Sequence, residues 1–153
     1  RDCAQQHGLH IDAEMRKDDW LDILMAELIE PKLGQNAPTF IYDYPASQAA
    51  LARLDAEAKV AHRFEMYWRG VELANGFYEL QDADEQAARF HAQNAERVER
   101  GQAEIPVDMH LIASLEVGLP DCAGVALGVD RLLMLLLQVD EIAQTLSFDY
   151  LRC

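Results

Sequence analysis

At 153 residues, half of them apolar and about a quarter charged, the chain suits one globular domain with a moderate core. Its net charge of −14, from 27 acidic against 13 basic residues, works against binding a nucleic-acid backbone. The longest uncharged apolar run, Leu132 to Leu137, is far too short for a membrane span. The chain opens at Arg1 with no initiator Met and no secretory pattern, so the expectation is an N-terminally truncated, cytoplasmic chain. Cys3, Cys122 and Cys153 are odd in number and far apart, which gives neither a disulfide framework nor a zinc spacing and fits a reducing compartment.

In chain order, the first 30 residues read as helical, with Trp20, Ile23, Leu24 and Leu28 at helical spacing. Pro31, Gly34 and Pro38 break that pattern. Thr39 to Tyr44 is rich in β-branched and aromatic residues and reads as a strand stopped by Pro45. Ser47 to Lys59, rich in Ala, is left open between a helix and an ordered loop. Arg63 to Trp68 and Val71 to Tyr78 read as two strands joined by a tight Arg69-Gly70 turn. Asp82, with Glu85 three residues on, starts a helix that keeps Ala83, Ala87, Phe90 and Val98 on one face and ends at Gly101. A further helix is expected from Asp108 to Glu116, stopped by Gly118. Gly124 to Arg131 reads as a buried strand feeding a helix capped by Asp130, with the leucines after it in the core. Strands in hairpins, not strict strand–helix alternation, point to an α+β fold with an antiparallel sheet flanked by helices.

Three constellations are candidates for chemistry. A turn at Arg69-Gly70 sets Tyr67 opposite Glu72 and puts Glu65 one diagonal step away, about 7–8 Å. Two carboxylates so placed can hold a divalent cation that shares oxygens with a polyphosphate; two solvated glutamates are the commoner outcome of such a spacing. Asn75, Phe77 and Glu79 alternate on one strand face, an amide, a ring and a carboxylate that suit a long ammonium side chain; a strand with one polar face and Phe77 in a small core is the commoner outcome of that pattern. Glu72 would face away from Asn75 in a regular strand, so both serve one site only if a bulge near Ala74 to Gly76 resets the alternation. In the Gly124 to Arg131 segment, glycines allow close approach of a nucleotide and an arginine at a helix start can meet a phosphate, but a tight strand-to-helix join accounts for it as well. None of the five histidines has metal-ligand spacing, and no serine lies in a nucleophile elbow.

In order, these pieces resemble the class II aminoacyl-tRNA synthetases, lysyl branch. Gly124-Val-Ala-Leu-Gly128-Val-Asp130-Arg131-Leu132 is similar to the third signature motif of that class. Phe64-Glu65 with Glu72-Leu-Ala-Asn75-Gly76-Phe77-Tyr78-Glu79-Leu80 is similar to the lysyl substrate-binding hairpin, and Pro38 to Pro45 to the strand before it. The resemblance implies that residues 1–153 form the C-terminal portion of a class II catalytic domain, with the first and second motifs upstream. It implies ATP and Mg2+ as cofactors, Glu65 and Glu72 on the magnesium, and Arg131 on the γ-phosphate. Gly128 would let the adenosine lie close, and Asn75, Phe77 and Glu79 would meet the carboxylate, stem and terminal ammonium of lysine. The reaction implied is formation of an aminoacyl-adenylate, by a homodimeric parent, without a covalent nucleophile from the protein. Two departures, Ala126 where the lysyl motif has glycine and the Asp43 to Ala49 stretch, are similar to the truncated lysyl paralogues that attach (R)-β-lysine to a lysine of elongation factor P. The alternatives are a lysyl-tRNA synthetase fragment that charges tRNA and a non-enzymatic, synthetase-derived interaction domain.

Overall fold

The computed structural model describes residues 2–11, 14–55, 57 and 59–149. Four strands form one antiparallel sheet in chain order: β1 (Thr39–Pro45), β2 (Val60–Trp68), β3 (Val71–Tyr78) and β4 (Ala123–Leu127). Helices α1 (Asp2–Gln6) and α2 (Lys17–Leu24) precede the sheet, α3 (Ala83–Glu99) and α4 (Met109–Val117) lie between β3 and β4, and α5 (Val129–Leu137) follows. The fold is α+β, as the hairpin order suggests.

The β2–β3 hairpin turns through Arg69 (φ 52°) and Gly70 (φ 76°), left-handed at both positions as a two-residue turn of the right twist requires. A second segment braces this turn. The N–H of Arg69 donates to the Gly34 carbonyl at 2.9 Å and that of Gly70 to the Leu33 carbonyl at 2.9 Å. Gly34 itself has φ 66°, and a Cβ there would lie 2.5 Å from the Tyr67 carbonyl oxygen, so only glycine fits.

Several expectations are corrected. The first 30 residues are helical only in part. Trp20, Ile23 and Leu24 lie in α2 and Leu28 in the π-helical turn Met25–Ile29, as their spacing suggests, but the described residues between α1 and α2 are not helical. Segment 47–59, open between helix and loop on sequence, is an ordered loop in its described residues, entered through one 3-10 turn at Ala46–Gln48. Arg53 N–H donates to the Tyr78 carbonyl and His62 N–H to the Arg53 carbonyl, while Ala52 and Ala61 are completely buried. Alanines there allow the loop to lie close to β2, and with Tyr44 and Ala49 they form a small core against Ile41, Leu54 and Phe77. The last helix is capped by Gly128, not Asp130, because the first helical bond runs from Leu132 N–H to the Gly128 carbonyl at 2.9 Å. β4 is an edge strand and mostly exposed, not buried. Of the leucine run, Leu135 is buried, whereas Leu133, Leu136 and Leu137 are exposed.

The cap expected at Asp82 holds, and Asp108, expected as the first residue of its helix, is instead the cap of α4 (Met109–Val117). Asp82 Oδ1 accepts from Glu85 N–H at 2.9 Å, and Asp108 Oδ1 accepts from His110 and Leu111 N–H at 3.0 Å. Val98, expected on the apolar face of α3, is exposed. Cys3 and Cys122 are free thiols, and Cys153 lies outside the described residues. No helix among the described residues is long and apolar enough to cross a membrane.

Candidate functional site

Two irregularities assemble one face of the sheet. In β2–β3, Met66 pairs with Ala74 and Tyr67 with Glu72, so Leu73 is the extra residue of a bulge. The reset falls just before the Ala74 to Gly76 stretch where it was expected, and has the required effect. Glu72 shares a face with Tyr67, and Asn75 shares it with its partner Glu65. In β1, the register shifts at Asp43 (φ 60°), which turns Tyr44 to the side of its partner Ala61 and thus of Arg63 and Glu65. Across β3, Asn75 pairs with Ala126 and Phe77 with Gly124. Glu65, Glu72, Asn75, Phe77 and Ala126 therefore lie on one face.

Glu65 is buried at 7% exposure, yet fully engaged. Its Oε2 accepts from the Tyr44 hydroxyl at 2.6 Å and the Tyr67 hydroxyl at 2.5 Å, while Arg63 Nη2 donates to its Oε1. Such a network neutralises a carboxylate that burial alone would penalise. The phenols answer in kind: burial first, and then the bond to Glu65, raise both tyrosines above their ordinary range. Arg63 also donates to Asn75 Oδ1 and lies over the Tyr44 ring at 4.5 Å.

Glu72 and Arg131 form the second cluster. Arg131 Nη1 donates to the Glu72 carbonyl at 2.9 Å and reaches its carboxylate at 3.5 Å. The arginine stem passes over Gly128, where a Cβ would approach Arg131 Cδ to 3.3 Å, and Gly128 N–H donates to the Leu73 carbonyl at 2.8 Å. The bulge residue is thereby tied to the start of α5. Both side chains are partly exposed, so the pair is screened and open to exchange for another charged group.

Glu79 lies just past β3. Its N–H donates to the Cys122 carbonyl at 3.1 Å and its carbonyl accepts from Arg53 Nε at 2.7 Å. Its carboxylate passes over the α-carbon of Gly124: a Cβ at Gly124 would stand 2.3 Å from Glu79 Oε1. The glycine thus makes room for the carboxylate. A cavity of about 500 Å³ opens beside Glu65 and Arg63, lined also by Tyr44, Gln48, Asp22 and Glu30. Among the described residues no group of three His, Cys, Asp or Glu is placed to hold a metal. Glu65 and Glu72 lie on one face. Glu72 is the freer carboxylate for a cation that arrives with oxygen ligands of its own, such as phosphates, whereas Glu65 could join it only by giving up a tyrosine or Arg63 partner.

Sequence reasoning passed over Arg63, Tyr44 and Tyr67. Arg63 and Tyr67 alternate with Glu65 along β2, so period two alone places them beside it. Tyr44 reaches this face only through the register shift at Asp43, where one residue of β1 faces His62 and Arg63 of β2 and for which β1 gives no sequence signal.

The family described as tRNA synthetases class II (D, K and N) matches residues 10–151. The elongation factor P–(R)-β-lysine ligase of Vibrio cholerae is 56% identical over 140 residues, 91% of this chain and 43% of that protein. The ligase of the same name from Vibrio parahaemolyticus is 52% identical over 151 residues, 97% of this chain and 47% of that protein. That of Proteus mirabilis is 51% identical over 142 residues, 92% of this chain and 44% of that protein. The chain spans less than half the length of these relatives.

Proposed function

This chain belongs to the class II tRNA synthetases (D, K and N), and on that premise we propose that it carries the amino-acid and triphosphate side of a site that activates lysine or (R)-β-lysine with ATP for transfer to a lysine of elongation factor P. One observation supports this above the rest: the bulge at Leu73 sets Glu72 on the face of Glu65 and Asn75, which a regular strand would forbid. Asn75 binds the carboxylate of the amino acid, Phe77 packs on its stem, and Glu79, over Gly124, pairs with the terminal ammonium. Arg131 meets the γ-phosphate after leaving Glu72, and its stem, which lies over Gly128, moves with it so that the adenosine lies close to that glycine. Glu65 and Glu72 would hold magnesium, which neutralises phosphate charge and keeps the triphosphate in line for attack by the carboxylate. The names of the relatives favour elongation factor P over tRNA as the acceptor.

The role of Glu72 gives the test. In the full-length protein, Glu72→Gln should lower amino-acid-dependent ATP–pyrophosphate exchange by about 100-fold or more, the scale for losing one group that stabilises transition-state charge. Stability should change by less than about 0.5 kcal/mol, because the side chain is partly exposed. Exchange at wild-type rate in the folded variant refutes the assignment.

A further inference from the structure

Arg63 has no part in the reading above, yet its guanidinium joins the two ends of the site. Three of its nitrogens donate to three different acceptors: Nε to Asn75 Oδ1 at 3.3 Å, Nη1 to the Gln48 carbonyl at 2.9 Å, and Nη2 to Glu65 Oε1. The group is confined between rings, with Tyr44 at 4.5 Å and Phe77 at 5.9 Å from its carbon. A guanidinium committed in this way is poorly placed to bind a substrate itself. It can, however, fix the groups that accept from it.

Asn75 is the acceptor for which this matters. An amide has an oxygen that accepts and a nitrogen that donates, and a half-turn exchanges them. An N–H cannot face another N–H, so the Arg63 donor selects the orientation with Oδ1 toward the guanidinium. Both N–H donors of Nδ2 are then directed away from Arg63. In the opposite orientation, the amide oxygen would meet a substrate carboxylate and repel it.

We propose that Arg63 is a positioning residue for the amino-acid carboxylate, holding the Asn75 amide so that its N–H donors are presented to the substrate. The inference rests on the reading of Asn75 as the carboxylate contact, and the experiment separates the two. In the full-length protein, ATP–pyrophosphate exchange is measured for wild type, Asn75→Ala and Arg63→Lys, with cadaverine, which is lysine without its carboxylate, as a competitive inhibitor. If Asn75→Ala leaves the amino-acid KM unchanged, the reading of Asn75 fails, and the inference fails with it. If that KM rises, Arg63→Lys decides the inference. Lysine can keep the charge on Glu65 but has no planar fork to reach Asn75 as well.

The expected result for Arg63→Lys is a rise of about 10- to 100-fold in amino-acid KM, the worth of one hydrogen bond to a charged group. The KM for ATP and inhibition by cadaverine should stay unchanged. An unchanged amino-acid KM, or an equal weakening of cadaverine, overturns the proposal. Should Arg63→Lys fail to fold, Arg63→Gln and the double variant Arg63→Gln/Asn75→Ala decide. Because Arg63 acts through Asn75, the amino-acid KM of the double variant should equal that of Asn75→Ala, and effects of the two substitutions that multiply overturn the proposal.

Discussion

Glu65 accepts from two tyrosine hydroxyls and one arginine while buried, and Glu72 shares a partly exposed arginine. The same residue type therefore answers differently to removal of its charge. Glu65→Gln leaves Arg63 without its counter-charge and sets an amide against three donors. It should destabilise the fold by about 1–3 kcal/mol, read as a lower urea midpoint with the slope unchanged. A midpoint equal to wild type would mean that the tyrosine–arginine cluster does not hold the strand. At Ala126, opposite Asn75 in β4, a methyl group stands on the proposed pocket floor. Ala126→Gly should shift use of the two lysine isomers toward α-lysine. One methyl group discriminates by about 10–200-fold at most, so the effect is a preference and not a switch. The ratio of kcat/KM for the two isomers measures it, and an unchanged ratio means that Ala126 does not read the substrate.

At the level of elements, the site depends on the hairpin and its brace. Gly34 is in the left-handed region and lies against the Tyr67 backbone, so Gly34→Ala carries both strain and overlap. The variant should lose more than about 1 kcal/mol in urea unfolding; wild-type stability would show that the brace is dispensable. The turn at Arg69-Gly70, the cap at Asp82 and the need for a bulge were legible because each follows from local chemistry or from the conflict between Glu72 and Asn75. The position of the bulge at Leu73 was not, because any of several neighbouring residues relieves the same conflict. The register shift at Asp43, where His62 and Arg63 of β2 face one residue of β1, is hidden because nothing in either strand demands it. The cap of α5 was misread because Asp130 is a strong capping residue by type, while the tie from Gly128 to Leu73 is a tertiary bond.

On the scale of the molecule, an apolar pattern proved a poor guide to burial near α5. Val125, Leu127, Leu133, Leu136 and Leu137 are exposed together with Phe40 and Tyr42. A leucine run signals an apolar face, but whether that face is covered depends on what else packs there. The chain spans less than half the length of its relatives, and its site face supplies Arg131 and Arg63 as cations, both already paired, Arg63 in a largely buried pair with Glu65 and Arg131 in a more exposed one with Glu72. The 153 residues alone should therefore show no ATP–pyrophosphate exchange and only weak ATP binding by calorimetry. Tight, magnesium-dependent binding would mean that the nucleotide site lies elsewhere. The central claim is that this sheet face reads a diamino acid, and amino-acid-dependent ATP–pyrophosphate exchange by the full-length protein, wild type against Glu79→Gln, tests it most directly. Lysine or (R)-β-lysine should support exchange in the wild type, and Glu79→Gln should raise the amino-acid KM while leaving the KM for ATP unchanged. Exchange that needs no basic amino acid, or an amino-acid KM indifferent to Glu79→Gln, would contradict the account.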